Sequence, residues 1–366
     1  MTTHTITVEP VGREVECEED QTILDACLRA GVWLPHSCTH GTCATCKVDK
    51  LDGEVDLGEA SSFALMDFER DEGKLLTCCA KPRGDVTIEA DLDVDEDMEV
   101  YPVDDYIGTV TLIEDIATET KRVVVELDRE IGFNAGQYMK FVVPADDAGG
   151  EEVDRTWSIA SPPGESTALE FHVRNVKGGR GTDGWVFSRL AEGDQVRMSG
   201  PYGRFVLKTG DDRHAIMVGG GTGVAPLKSM IKHALGDGEY EGEITLYAGG
   251  RGREWLYDVA EFRELEAEHD NFTFRPCLSE ETAEQVSAAG EDAQGYGFGM
   301  VTDVIAADHE RLSGCTGYLC GPPAMVDAAL KTLMSLRLFP RDIYREDFFN
   351  EADKDGGGVK SPLIKR

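Results

Sequence analysis

At 366 residues the chain is too long for one core of ordinary size, and two or three domains are expected. Its 70 acidic against 36 basic residues give a formal charge of −34, which excludes a sequence-independent nucleic-acid binder or an anionic-membrane binder, since both need a basic face. That charge suits either steered association with a basic protein partner or adaptation to salt. No apolar run approaches the roughly 20 residues that cross a bilayer. The opening "MTTHTITVEPVGREVE" has neither the basic nor the apolar region of a secretory signal. A cytoplasmic protein is therefore expected. Disulfides are rare there, so the 10 cysteines read as ligands, catalytic groups or buried thiols.

Residues 4–19 read as two alternating strands around a glycine-containing turn. Residues 20–35 open on Asp20 and carry Ile23, Leu24, Ala26, Cys27 and Leu28 on a helix-like apolar face. Next come Cys38, Cys43 and Cys46, with Cys78 or Cys79 further on in "KLLTCCAKP". The spacing C-x4-C-x2-C followed by a distant Cys is the plant-type [2Fe–2S] pattern. Small residues in the loop let backbone N–H groups approach the cluster sulfides, and Gly41 tolerates unusual angles. A structural zinc site usually shows two paired knuckles, and a redox dithiol would leave Cys38 idle; both are weaker readings. The segment resembles plant-type ferredoxins, whose last ligand follows "L-T" or "L-S". That resemblance implies Cys78 as the fourth ligand, with Cys79 pointing away. Cys17, Cys27, Cys277 and Cys315 are expected to be core or surface thiols. The acidic stretch 89–106 reads as a linker.

From Tyr106 to about Lys208 short strands recur at regular intervals, as in an antiparallel barrel. Within them, "RTWS" (Arg155, Trp157, Ser158) resembles the R-x-Y-[ST] flavin motif of the ferredoxin–NADP reductase superfamily. The resemblance implies that Arg155 pairs with the cofactor pyrophosphate, that Trp157 covers the isoalloxazine in place of the usual tyrosine, and that Ser158 lies near flavin N5. Gly178, Gly179, Gly181 and Thr182 precede a helix expected to start near Asp183. Such a turn suits a diphosphate and favours FAD over FMN.

The last 150 or so residues alternate strand and helix, as in a doubly wound α/β domain. The loop Gly221-Thr222-Gly223-x-x-Pro226 allows backbone approach to a dinucleotide pyrophosphate, with Pro226 in the first helical turn. Cys320, Gly321 and Pro322 follow a strand, at the carboxyl edge where such sheets bind ligands. The same superfamily resemblance implies that Cys320 helps place nicotinamide C4, and it maps a carboxylate and an aromatic near the flavin to Glu346 and Phe348. NADP-preferring members place Ser-Arg where this chain has Ser279-Glu280. A carboxylate there favours NADH, although Arg251 or Arg253 would attract a 2′-phosphate.

The expected fold is multidomain α+β and α/β. A β-grasp-like [2Fe–2S] ferredoxin domain spans 1–95 and a linker 96–104. An antiparallel β-barrel FAD domain spans 105–210 and a doubly wound parallel-sheet NAD domain 211–366. This order resembles the reductase components of bacterial multicomponent oxygenases, nearest those of the soluble diiron monooxygenases that hydroxylate phenols. The resemblance implies an NADH-dependent oxidoreductase passing electrons through FAD and the [2Fe–2S] cluster to an oxygenase (hydroxylase) component. That partner would dock on the ferredoxin domain, with Asp56, Glu59, Asp67 and Glu69 contributing. The runner-up partners are a Rieske dioxygenase and an alkane or alkene monooxygenase. An electron carrier without NADH activity is opposed by the intact "RTWS", "GTGVAP" and "CGPP" runs.

Overall fold

In a computed structural model, residues 2–37, 39, 41–92, 98–145, 150–164, 167–236 and 240–348 are described. Cys38 of the expected ligand set lies outside the described residues. The chain forms two compact units. Among the described residues, one runs to Asp105 and includes Ser199–Arg204; the other holds Tyr106–Met198 and Phe205–Phe348.

In the first unit, β1 (Thr3–Glu9) and β2 (Arg13–Glu18) form the expected hairpin. Ile6, Val8, Val15 and Cys17 recur at period two and are buried together, which sets the register. Helix α1 (Ile23–Arg29) buries the expected face. Its cap is Thr22, whose hydroxyl accepts from the Asp25 N–H at 3.3 Å, so Asp20 is not the start. Thr22 wins because its oxygen stands three residues before an N–H that has no helical carbonyl to bond. β3 (Lys47–Asp52), β4 (Val55–Asp56), α2 (Asp67–Asp71), β5 (Lys74–Leu76), β6 (Lys81–Pro82) and β7 (Val86–Glu89) complete the unit. The main sheet has the order β2-β1-β7-β3-β5, with β1 parallel to β7 and the other pairs antiparallel. This is the expected grasp-like mixed sheet around a helix.

Six antiparallel strands come next, in the second unit except for the start of β8 and the end of β13: β8 (Asp104–Ala117), β9 (Thr120–Leu127), β10 (Tyr138–Val143), β11 (Val153–Ser158), β12 (Ala168–Arg174) and β13 (Gln195–Tyr202). Their order is β11-β10-β13-β8-β9-β12, and a bridge between Ile159 and Phe171 joins the two ends, closing the barrel. Inward residues such as Val125, Met139, Phe141 and Phe171 fill it. The helix expected near Asp183 is one wide turn, Thr182–Val186, with i→i+5 bonds.

The remaining chain is a parallel sheet: β14 (Ala215–Gly220), β15 (Ile244–Gly250), β16 (Phe272–Leu278), β17 (Gly297–Phe298), β18 (Thr316–Gly321) and β19 (Ile343–Asp347), in the order β17-β16-β15-β14-β18-β19. Helices α3 (Val224–Gly236), α4 (Val259–Glu268), α5 (Ala283–Ala288), α6 (Val301–Asp308) and α7 (Pro323–Ser335) connect the strands. β14 and β15 are wholly apolar or small along most of their length, as strands covered on both faces must be. Strand order reverses between β14 and β18, so the crevice at their carboxyl ends is the topological switch point.

Candidate functional site

The cysteine loop is held in an unusual backbone. Thr39, Gly41 and Ala44 all have positive φ (56°, 79° and 59°). Two of these are not glycine, a conformation that costs about 1 kcal/mol or more per residue and persists where a site demands it. At Gly41 a β-carbon would stand 2.7 Å from Cys79 Sγ and 3.0 Å from the Glu59 carbonyl, so only glycine fits. Cys43, Cys46 and Cys78 are buried, and Cys46 Sγ lies 3.2 Å from Cys78 Sγ. Cys79 is partly exposed and faces the Glu59 carbonyl at 3.7 Å. None of the nine described cysteines is in a disulfide. Buried sulfurs that converge in a loop of small residues without forming a disulfide fit an iron–sulfur cluster. Beside the loop, His36 Nδ1–H donates to the Leu34 carbonyl at 2.8 Å, which leaves Nε2 to accept from the Gly203 N–H at 3.1 Å. Burial pushes its pKa down to about 4, so this imidazole stays neutral.

The flavin motif falls on β11. Arg155 and Trp157 alternate on one face, and Ser158, buried, ends the strand. Gly181 packs against Arg155, whose Cγ would be 2.6 Å from a β-carbon there. This brings the predicted phosphate arginine and the glycine turn together. Within the turn, Thr182 Oγ1 accepts from the Val176 N–H at 3.0 Å, and the Gly178 N–H donates to Asp183 at 2.9 Å. Those two groups shape the loop, while Gly181, Thr182 and Asp183, at the start of a helical turn, have N–H groups with no intrahelical carbonyl. Trp157 packs edge-on against Phe141 at 4.7 Å and stacks on Trp185 at 6.1 Å. The residues fit a stacked ring and a diphosphate, both parts of FAD.

Gly221, Thr222 and Gly223 form a tight turn off β14, and Pro226 lies in the first turn of α3. Gly223 is pressed onto the end of β18: a β-carbon would stand 2.1 Å from the Cys320 carbonyl oxygen. Cys320 is fully buried, and Gly321 accepts from the Phe348 N–H at 2.9 Å. Pro322 caps α7. In the β18–β19 register Cys320 stands opposite Glu346. Three motifs far apart in sequence thus meet at one sheet edge. Burial, with Asp347 adding to it, pushes the Glu346 carboxyl up to about 8, so it is protonated at neutral pH. Its Oε2 has no hydrogen-bond partner among the described residues. Burial pushes the Cys320 thiol far above the usual range, which keeps it a neutral group.

Around the end of β16, Ser279 packs on the Gly250 carbonyl and Glu280 is exposed. Arg251 lies over the Trp255 ring at 4.9 Å. Arg253 is claimed by two carboxylates, Glu281 at 2.9 Å and Glu291 at 2.7 Å. Glu281 and Glu291 went unnoticed in the sequence because nothing in their spacing announces a partner 28 or 38 residues away. Trp185 went unnoticed for the same reason. Of the expected docking acids, Glu59 and Asp67 are exposed. Asp56 is paired with Arg83 at 2.7 Å, and Glu69 is half-buried against Lys47 at 2.6 Å. Between them stand three exposed apolar side chains, Phe63, Met66 and Phe68. This segment touches the cysteine loop directly, through the Ser61 N–H to the Gly41 carbonyl at 3.0 Å.

Three family models match in chain order: a 2Fe-2S iron-sulfur cluster binding domain over residues 6–83, an oxidoreductase FAD-binding domain over 108–207 and an oxidoreductase NAD-binding domain over 217–331. The chain is therefore an NAD(P)H-dependent iron–sulfur flavoprotein oxidoreductase. It is 45% identical to the reductase component of phenol 2-monooxygenase from Pseudomonas sp. (strain CF600), over 99% of each chain. It is also 45% identical to the phenol hydroxylase P5 protein of Acinetobacter pittii (strain PHEA-2), over 98% of each chain. The crystal structure of the Amycolatopsis cytochrome P450 reductase GcoB matches with a TM-score of 0.85 at 41% identity, covering 94% of this chain and 99% of that one. The chain belongs to the family of reductase components of multicomponent monooxygenases that includes these phenol hydroxylase reductases. None of the described helices is long and apolar enough to cross a membrane.

Proposed function

We propose that this protein is the reductase of a cytoplasmic phenol hydroxylase, taking electrons from NADH and delivering them to a hydroxylase component. The observation that carries this is the 45% identity to phenol 2-monooxygenase reductase along both full lengths. When bound, FAD accepts electrons in a pair and releases them singly, and the [2Fe–2S] cluster relays one at a time. Cys38, Cys43, Cys46 and Cys78 hold the cluster, a reading supported by the 3.2 Å approach of Cys46 and Cys78. Arg155 and the Gly181 turn take the FAD diphosphate, Trp157 backed by Trp185 takes its ring, and Ser158 orients it. The Gly221–Gly223 turn takes the NADH pyrophosphate, and Cys320, with the neutral acid Glu346 beside it, positions the nicotinamide in a water-poor crevice.

NADH over NADPH is supported by the capture of Arg253. An arginine already bonded to two carboxylates is not available to a 2′-phosphate, and the exposed Glu280 repels one. The hydroxylase docks on the face carrying Phe63, Met66 and Phe68, an apolar centre with Glu59 and Asp67 at its rim. The test is reconstitution: the purified chain, NADH, oxygen and a diiron phenol hydroxylase with its small effector component, scored for catechol formation. Product with a cytochrome P450 or a Rieske oxygenase instead, and none with the diiron hydroxylase, would overturn the choice of partner.

A further inference from the structure

Lys228 lies on α3, the helix that starts directly after the Gly221–Gly223 turn, and is 2% exposed. Its ammonium contacts Glu170 at 2.9 Å, Asp258 at 2.6 Å and Glu261 at 2.8 Å. Glu170 belongs to β12 of the flavin barrel, whereas Asp258 precedes α4 of the nucleotide domain. Arg122, on β9 of the barrel, contacts the same two acids: Glu170 at 3.2 Å, and Asp258. The four side chains form a closed square of alternating charge. The barrel supplies one cation and one anion, and the nucleotide domain supplies the other two.

The square is balanced and needs no metal. Glu170, His172 and Asp258 bring ligand atoms within 4.8 Å of one another, but the Lys228 ammonium already bonds both carboxylates. Burial opposes the charge on Lys228, yet Glu170 and Asp258 outweigh it and hold its pKa above the ordinary lysine value. A buried ion pair contributes little net stability over an apolar contact of equal volume. What it supplies is a single geometry, because each partner must be met in place. An apolar interface in the same position could slide.

Two neutral bonds tie the square to the reacting ends. Ser229, next to Lys228 and fully buried, donates to the Ser161 carbonyl at 2.7 Å, three residues beyond Ser158. Tyr257, next to Asp258, donates to the Gly221 carbonyl at 2.9 Å and packs edge-on against His172 at 4.8 Å. The barrel thus reaches the pyrophosphate turn through Asp258 and Tyr257, and α3 reaches the flavin strand through Ser229.

We propose that the Lys228–Glu170–Arg122–Asp258 square is a positioning device that sets the Gly221–Gly223 turn against the flavin strand ending at Ser158. These are positioning residues, and they act on the NADH-to-FAD step. The proposal rests on that step but not on the identity of the oxygenase.

The test compares the FAD-loaded wild type with Lys228→Met, Lys228→Arg and the charge-balanced pair Lys228→Met/Glu170→Gln, using ferricyanide as acceptor so that no partner is needed. Flavin content and thermal midpoint are measured for each. Hydrogen–deuterium exchange is followed over residues 217–227 without nucleotide. In Lys228→Met the rate at saturating NADH falls about 10- to 100-fold, as expected for a misplacement of order 1 Å. The KM for NADH changes far less, and exchange rises in the turn. Lys228→Arg restores most of the rate. The charge-balanced pair recovers the thermal midpoint but not the rate. A pair variant with both midpoint and rate at the wild-type level would overturn the proposal and leave the square a purely structural feature. Should Lys228→Met fail to fold, Ser229→Ala and Tyr257→Phe take its place. They are expected to raise exchange in the turn and slow the step several-fold, and unchanged exchange and rate in both would overturn it. A wild type unable to reduce ferricyanide with NADH would instead count against the proposed function.

Discussion

The cysteine loop and the nucleotide crevice solve the same problem, convergence of chemical groups, in opposite ways. In the loop, three of the four expected ligands fall within nine residues, and the backbone bends to fit, with Thr39 and Ala44 forced to positive φ. In the crevice the positive φ angles fall on glycines, Gly221 (55°) and Gly321 (139°). Gly223, Cys320 and Glu346 arrive from the ends of three parallel strands or the turns after them, at the point where strand order reverses. A local solution concentrates risk in a few positions. A strand-edge solution spreads it over a sheet and leaves individual side chains adjustable, and that contrast can be tested.

The largest effect is expected in the loop. Cys43→Ser should abolish the visible absorption of the cluster and all electron delivery to the hydroxylase, while NADH–ferricyanide activity stays near wild type. A cluster retained in that variant would mean the ligand set is wrong. In the crevice, Gly223→Ala must displace the end of β18, because its β-carbon would meet the Cys320 carbonyl oxygen at 2.1 Å. A shift of order 1 Å there should lower kcat/KM for NADH by about 100-fold with the cluster spectrum intact. An unchanged kcat/KM would show that the crevice adapts even at its tightest contact.

A smaller effect is expected from Glu281→Ala, which removes the carboxylate that Arg253 meets through both Nε and Nη2. Activity with NADPH should rise about 10-fold relative to NADH, a change of roughly 1.4 kcal/mol in discrimination; an unchanged ratio would remove Arg253 from the specificity argument. For Glu346 the pH profile is decisive. The folded-state value near 8 lies above the ordinary 4.5, so the folded chain holds an extra proton between them. Stability therefore falls as pH rises through that window, and turnover should fall as the carboxyl ionises above about pH 8. Glu346→Gln, neutral at every pH, should flatten both trends. The smallest effect belongs to the surface: Asp67→Lys should raise the KM for the hydroxylase about threefold and weaken its salt dependence, as rim charges do.

Much of this was readable in the chain. The C-x4-C-x2-C spacing, "RTWS", "GTGVAP" and "CGPP" are contiguous, and each constrains its own backbone, so cofactor type and domain order follow from short windows. Local reading failed where one residue competed with its neighbours. Thr22, not Asp20, caps α1, and the turn after Gly181 is a single wide helical turn. Pairing was not legible either: Asp56 and Glu69, expected among the docking acids, are held by Arg83 and Lys47, since charge count carries no information about pairing.

The sequence by itself determined the chemistry this protein handles: a cluster, a flavin and a nicotinamide, in that order along the chain. The tertiary structure decided which side chains are free to act on them. Arg253 is neutralised by acids 28 and 38 residues away, Glu346 is made a neutral acid by burial opposite Cys320, and Lys228 is locked to the barrel by Glu170. Each of these depends on burial and on contacts between distant segments, and neither is written in any local pattern of residues.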